Sequence, residues 1–182
     1  IGDWSSDVCS SDLMCAWAKH LGAQVLGVVS KPASVERAKA AGCDHVFVFE
    51  AQSLPSQVMQ ATQGQKVDVV YDSIGKDTFF ASLDCLRPRG LMVSFGATSG
   101  LPPAVEPGVL NAKGSLFLTR PSLAAHTATI EEYQSRAQDV LDAIAAGILR
   151  PRVWKSYALK DAALAHADLE QGRSQGSIIL TP

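Results

Sequence analysis

The sequence predicts an α/β fold built on a doubly wound parallel sheet. Two observations carry that expectation. Short apolar, β-branched runs alternate with helical stretches from Leu13 to Thr119. The stretch Val67–Gly100 also holds a complete strand, helix, strand unit. On this scale that unit is a crossover connection between parallel strands.

The elements follow in order. Leu13–Gly22 is expected as a helix, because Leu13, Trp17 and Leu21 share one face and Gly22 closes it. Cys15 and Trp17 are taken as core, and His20 as a polar-face residue near the helix end. Val25–Val29 is a strand. Ser34–Ala41 is a short helix with Ser34 as cap and Gly42 as stop. His45–Phe49 is the next strand, with His45 structural. Ser53–Thr62 is a helix capped by Ser53, with Pro55 tolerated in its first turn and Gly64 ending it.

Val67–Tyr71 is the central strand, and Asp72–Lys76 is a polar turn carrying Gly75. Thr78–Leu86 places Phe79, Leu83 and Leu86 at helical spacing, and Pro88 and Gly90 end it. Leu91–Phe95 is a second buried strand, followed by the loop Gly96–Gly100. Leu101–Asn111 is expected as loop, broken by Pro102, Pro103, Pro107 and Gly108. Ser115–Thr119 is the last strand of the sheet. Thr129 and Glu132 form a capping box for a helix that Gly147 ends. Its stripe of Ile130, Tyr133, Ala137, Val140, Leu141 and Ile144 is expected to pack in a core. Val153–Leu159 is a strand, Ala162–Gln171 a helix and Ser177–Leu180 a closing strand. His166 and Asp168 are an exposed helical pair.

The totals exclude several classes. The chain has 182 residues, 47% hydrophobic and 19% charged, which suits one globular domain or one domain plus part of another. A net charge of −2 favours neither nucleic acid nor an anionic membrane surface. No apolar run approaches ~20 residues, so no membrane-spanning helix is expected. Cys9, Cys15, Cys43 and Cys85 lack CxxC spacing. They are expected as ordinary thiols of a reducing cytoplasm, not as disulfides or zinc ligands.

Residues 3–13, DWSSDVCSSDL, sit where such a fold needs its first strand and a glycine-rich turn. They hold no glycine, but four serines and three aspartates. A buried strand is not expected from that composition, and Asp7 and Asp12 would repel a phosphate. The stretch resembles the translation of a common sequencing-library adapter. Residues 1–13 are therefore expected to be a non-native segment.

YDSIGKDTF, SLDCLRPRG, SFGATSG, KGSLFLTRP and the closing GSIILTP resemble the NADPH:quinone oxidoreductases. These form the zinc-free, zeta-crystallin-like branch of the medium-chain dehydrogenase/reductase superfamily. The resemblance covers Leu13 to Pro182 and corresponds to the C-terminal half of such an enzyme. It implies an incomplete Rossmann-like NADPH-binding domain over residues 14–120. Residues 121–182 would then pack on an N-terminal substrate domain.

In such a sheet, ligands sit beyond the carboxyl ends of the strands. An NAD site usually carries an acid at the end of the second strand, where this chain has Ser30 and Lys31, then Ser34 and Arg37. A cation and hydroxyls suit a 2′-phosphate, so NADPH is expected over NADH. The family often has Lys at the position of Ser34. Phe49 stands where the family often has Tyr near the adenine. Ser73 and the ledge of Phe95, Gly96, Thr98 and Ser99 are implied to hold ribose and phosphates. Phe117, Leu118 and Thr119 are implied to orient the nicotinamide and to pair strands in a homodimer. Arg173 neighbours the position of a family phosphate-binding Arg, which is Gly172 here.

The implied reaction is metal-free hydride transfer from NADPH to a quinone or related α,β-unsaturated carbonyl. No catalytic residue is assigned, and the isolated chain is expected to be inactive. The alternatives are an enoyl or alkenal reductase of the same superfamily, or a noncatalytic NADPH-binding, crystallin-like protein. A methyltransferase-like domain fits less well, because it would want an acid where Ser30-Lys31 stands.

Overall fold

The fold is that of a computed structural model, which describes residues 8–174 and 176–182. Residues 3–7 of the adapter-like stretch, and the side chains of residues 8–11, lie outside the described residues.

The first helix, α1 (Val8–His20), starts five residues earlier than the apolar spacing suggested. The described part of the adapter-like stretch, residues 8–13, belongs to this helix. A parallel pair follows, β1 (Leu26–Val29) and β2 (His45–Val48), joined by α2 (Val35–Ala40). Then comes α3 (Leu54–Ala61). Ser34 and Ser53 do not cap these helices. Ser34 Oγ instead accepts from Arg37 at 3.4 Å, and Ser53 Oγ donates to Glu50 at 2.5 Å.

The central sheet is β3 (Val67–Asp72), β4 (Leu86–Ser94) and β5 (Phe117–Thr119), all parallel. The helix between the first two, α4 (Phe79–Asp84), is shorter than expected. Leu86 belongs to β4, where it pairs with Val67. Pro88 and Gly90 lie inside that strand rather than ending a helix. Arg89 between them takes a left-handed φ of 61° and donates its N–H to Gly114 O at 2.8 Å, so the strand bulges around them. The expected loop 101–111 contains a short helix, α5 (Pro107–Ala112), whose first position is the proline that fits there.

Beyond β5 come α6 (Leu123–His126) and α7 (Ile130–Ala145), the latter capped by Thr129 Oγ1 on Glu132 N–H at 3.2 Å. A separate parallel pair, β6 (Val153–Ala158) and β7 (Ser177–Thr181), flanks α8 (Ala162–Glu170). The α7 stripe is not core within this chain. Ile130 is 60% exposed and Leu141 58%, while Ala143 is the buried residue of the helix. No helix of the described residues is long and apolar enough to cross a membrane.

The strand orders β2-β1 and β3-β4-β5 are the two ends of a doubly wound 3-2-1-4-5-6 sheet with strand 1 left out. Among the described residues no strand pairs with the second edge of β1 or of β3. A cleft of about 440 Å³ lies between these edges, lined by Leu26, Val28, Val67, Val69 and, from α1, Met14 and Cys15. Trp17 and Cys15 are accordingly half-buried rather than core. The halves stay together because Val28 of β1, Leu54 and Val58 of α3, and Val70 and Met92 of the central sheet share one apolar cluster.

Asp12 marks the cost of the substitute first segment. Burial pushes its carboxyl up to about 6, against the lowering influence of Arg37 and Arg152. A raised carboxyl binds its proton more tightly in the folded than the unfolded chain. Its contribution therefore falls as pH rises from about 4 to about 6, and stays low above that. We expect Asp12→Asn to remove this slope and to stabilise the chain at pH 7 by roughly 1–2 kcal/mol, a full two-unit shift discounted for partial exposure. Urea unfolding at pH 4.5 and pH 7 measures both effects.

Candidate functional site: the interlocked ledges after β3 and β4

A buried polar network begins at the end of β3. Asp72 is fully buried, yet no cation faces it among its hydrogen-bond partners. Its carboxylate accepts from Ile74 N–H at 2.8 Å and Gly75 N–H at 3.1 Å. Thr78 Oγ1 donates to it at 2.8 Å and Ser82 Oγ at 2.8 Å. Four donors from the turn and from α4 thus replace the water the carboxylate lost. The short polar turn predicted from sequence is folded around this group.

With its N–H groups turned inward, the turn presents its carbonyls to the next loop. Ser73 O accepts from Thr98 N–H at 3.3 Å and Thr98 Oγ1 at 3.1 Å. Ile74 O accepts from Ser99 N–H at 2.9 Å and Ser99 Oγ at 3.0 Å. Asp77 N–H returns to Ser99 Oγ at 3.1 Å, and Lys76 N–H to Gly100 O at 3.1 Å. Two glycines make the approach possible. A Cβ on Gly96 would lie 2.2 Å from Ser73 O, and one on Gly75, at φ +92°, would lie 2.5 Å from Gly100 O.

Among the sequence-predicted residues, Ser73, Gly96, Thr98 and Ser99 are therefore brought into one unit, with Phe95 bonded through its N–H to Asp72 O at 2.9 Å. Phe117, Leu118 and Thr119 form β5, paired to β4 with Thr119 opposite Val93, and all three are exposed. Ser30 and Lys31 lie exposed at the end of β1, with Ser34 and Arg37 half-buried just beyond. Phe49 follows β2, held by its N–H on Val29 O at 2.7 Å. Its ring packs against the main apolar cluster rather than standing free to stack.

Arg173 lies elsewhere. Its guanidinium pairs with Asp168, with the Nε–Oδ1 bond at 2.7 Å. Tyr157 hydroxyl also donates to Asp168, and Lys155 lies at 3.4 Å. The Tyr157 and Arg173 hydrogen bonds hold the Asp168 carboxyl down at about 2. Asp168 is thus a structural anchor between β6 and the loop after α8, and His166 beside it is exposed.

Two residues of the site were missed from sequence. Asp72 was read only as part of a polar turn. Arg120, one residue past β5, reaches back across the ledge to Ser94 O at 3.4 Å and Gly96 O at 3.3 Å. A cation directly after a strand end was the available signal for Arg120. Ser94 Oγ, at the end of β4, is buried without a hydrogen-bond partner. Among the described residues, no three His, Cys, Asp or Glu side chains form a set that could hold a metal.

Residues 41–180 match the family described as zinc-binding dehydrogenase. The chain is 46% identical over 172 residues to a quinone oxidoreductase of Salmonella typhimurium, covering 93% of this chain and 53% of that protein. The crystal structure of Escherichia coli quinone oxidoreductase complexed with NADPH superposes with a TM-score of 0.89 at 41% identity, over 100% of this chain and 56% of that one. A 2-haloacrylate reductase structure superposes with a TM-score of 0.93 at 39% identity, again over 100% and 56%. The chain spans about half the length of the relatives it matches.

The ledge yields a graded expectation. Ser82→Ala removes a hydrogen bond to a buried carboxylate and is expected to cost about 1.5–3 kcal/mol. Asp72→Asn sets an amide against four donors and is expected to cost at least as much. Ser94→Ala removes a hydroxyl without a partner and is expected to stay within about 1 kcal/mol of the parent. Chemical denaturation of the three variants checks the order.

Proposed function

The chain belongs to the zinc-binding dehydrogenase family, and from that premise we propose that it is part of a zinc-independent, NADPH-dependent quinone oxidoreductase. The observation that carries the reading is the interlocked ledge of Ser73–Gly75 and Gly96–Gly100 at the carboxyl ends of neighbouring parallel strands. Ligands of open α/β sheets lie in that position. The exposed Lys31 at the end of β1, with no acid from Ser30 to Ser34, supports NADPH over NADH. The similarity to quinone oxidoreductases supports a quinone as acceptor.

The residues present fit part of such a cofactor. The close approach at Gly96 leaves a side-chain-free ledge, and Ser73, Thr98 and Ser99 bring polar groups to it. Their roles are to position the ribose and phosphates, with Lys31 and Arg37 balancing the 2′-phosphate. Phe117–Thr119 and Arg120 would hold the nicotinamide end. The pyrophosphate turn does not fit: residues 3–13 hold no glycine, and Asp12, within α1, adds a carboxylate. When bound, the nicotinamide supplies the hydride, and the protein's part is position and electrostatics. With one proton, that hydride would reduce a quinone to the hydroquinone. Among the described residues no set of His, Cys, Asp or Glu side chains fits the zinc of the family's description.

The assembly belongs to the same proposal. The exposed apolar faces of α7 and of β6 and β7 support packing of residues 121–182 on a preceding substrate domain. Phe117, 61% exposed on the outer strand β5, supports strand pairing in a homodimer. A cytoplasmic setting completes the reading. A second reading, reduction of an α,β-unsaturated acid or carbonyl, is favoured by the likeness to 2-haloacrylate reductase.

Fluorescence titration separates these expectations. A full-length form with a glycine-rich turn in place of residues 3–13 is expected to bind NADPH in preference to NADH. This chain alone is expected to bind neither well and to be inactive. In the full-length form, Lys31→Ala is expected to weaken NADPH about five- to tenfold and leave NADH nearly unchanged. Equal loss for both cofactors would sink the assignment of Lys31. Turnover with haloacrylate and not with quinones would favour the second reading.

A further inference from the structure

Outside the ledges, one pair of reactive side chains is held together without any role in them. Cys15 on α1 and Cys43 in the turn before β2 are 28 residues apart in sequence, and their sulfurs lie 3.5 Å apart, Cys43 donating to Cys15. We propose that Cys15 and Cys43 are an oxidation site that closes to a disulfide under peroxide.

The pair is built into its surroundings. Lys19 lies one helical turn after Cys15, on the same face. Asp44 directly follows Cys43. Lys19 Nζ and Asp44 Oδ1 pair at 2.5 Å, and Asp44 Oδ2 accepts Val25 N–H at 2.8 Å. An ion pair and a thiol pair therefore join α1 to the same turn in register. Gly27 on β1 makes room for the buried sulfur, since a Cβ there would come within 2.7 Å of Cys43 Sγ. Closing the bond moves the sulfurs together by about 1.5 Å, to the disulfide length near 2.05 Å.

The two thiols are unequal. The hydrogen bond from Cys43 holds the Cys15 thiol below its ordinary pKa, while the same bond and burial push Cys43 up. Cys15 also lines the cleft between β1 and β3, open to a small reagent, whereas Cys43 is buried among Val25, Val29 and Ala38. Cys15 is the attacking sulfur. Its thiolate, with hydrogen peroxide and a proton, gives the sulfenic acid and one water. Cys43 then displaces hydroxide from that sulfur, and its own proton leaves with it as a second water. Two thiols are oxidised and one peroxide is reduced. Cys85, which burial pushes up to about 12, is outside this chemistry.

The full native chain is treated with hydrogen peroxide, alkylated, digested and mapped by mass spectrometry. The expected result is a Cys15–Cys43 linked peptide, lighter by two hydrogens, with Cys85 still alkylated. In Cys43→Ala, Cys15 is expected to be trapped by dimedone as the sulfenic acid. Without peroxide, Cys15 is expected to alkylate about tenfold faster than Cys85 at pH 7. Oxidation of Cys15 to sulfinic acid with Cys43 present, linkage of Cys15 to Cys9, or Cys15 and Cys43 both recovered as free thiols would each overturn the proposal.

Discussion

The buried carboxylate of Asp72 is the constraint on which the candidate site depends. A fully buried carboxylate is expensive unless its lone pairs are filled. Here they are filled by two turn N–H groups, the Thr78 hydroxyl just before α4 and the Ser82 hydroxyl within it. That demand fixes which way the peptide units from Ser73 to Gly75 face. Their carbonyls must then turn outward, and the loop from Gly96 to Gly100 supplies the donors. The polar ledge is thus the outer half of a bond network whose inner half is forced by one charge. It stands on strands whose cores, Val70 and Met92, are wholly apolar.

The other half of the sheet shows the opposite condition. β1 and β3 present unpaired edges across a cleft where the doubly wound order calls for one more strand. The described residues 8–13 of the adapter-like stretch are helix, and Asp12 carries a carboxyl raised by burial. The family's remaining elements are locally consistent. Each βαβ or αβ step packs its own apolar face, so the order of the sheet survives the gap.

Most strands and helices were legible in the sequence because their apolar periods are local. Val25–Val29, His45–Phe49 and Val67–Tyr71 each appear within one or two residues of the expected bounds. The misreadings share a physical cause. Pro88 and Gly90 were read as stops, but a bulge at Arg89 absorbs both inside β4. Pro107 was read as a loop residue, yet it stands at the one helical position that needs no N–H donor. The α7 stripe has a helical period, but a period does not say which surface covers it. The ledge residues come from family motifs, and the structure joins Ser73 to Thr98 and Ile74 to Ser99 by direct hydrogen bonds. Asp72 was not singled out, since nothing in a YDSIG string says that its carboxylate points inward. Arg173 was drawn toward the cofactor by its neighbour's position, whereas the local demand of Asp168 claims it.

The dependence of both ledges on one carboxylate is tested most directly by residue-resolved amide hydrogen exchange of the parent chain and Asp72→Asn. Ile74, Gly75, Thr98 and Ser99 are expected to lose protection together in the variant, while Phe49, whose N–H is held by Val29 O in the other half-sheet, keeps its own. Loss confined to Ile74 and Gly75, with Thr98 and Ser99 as protected as before, would contradict it.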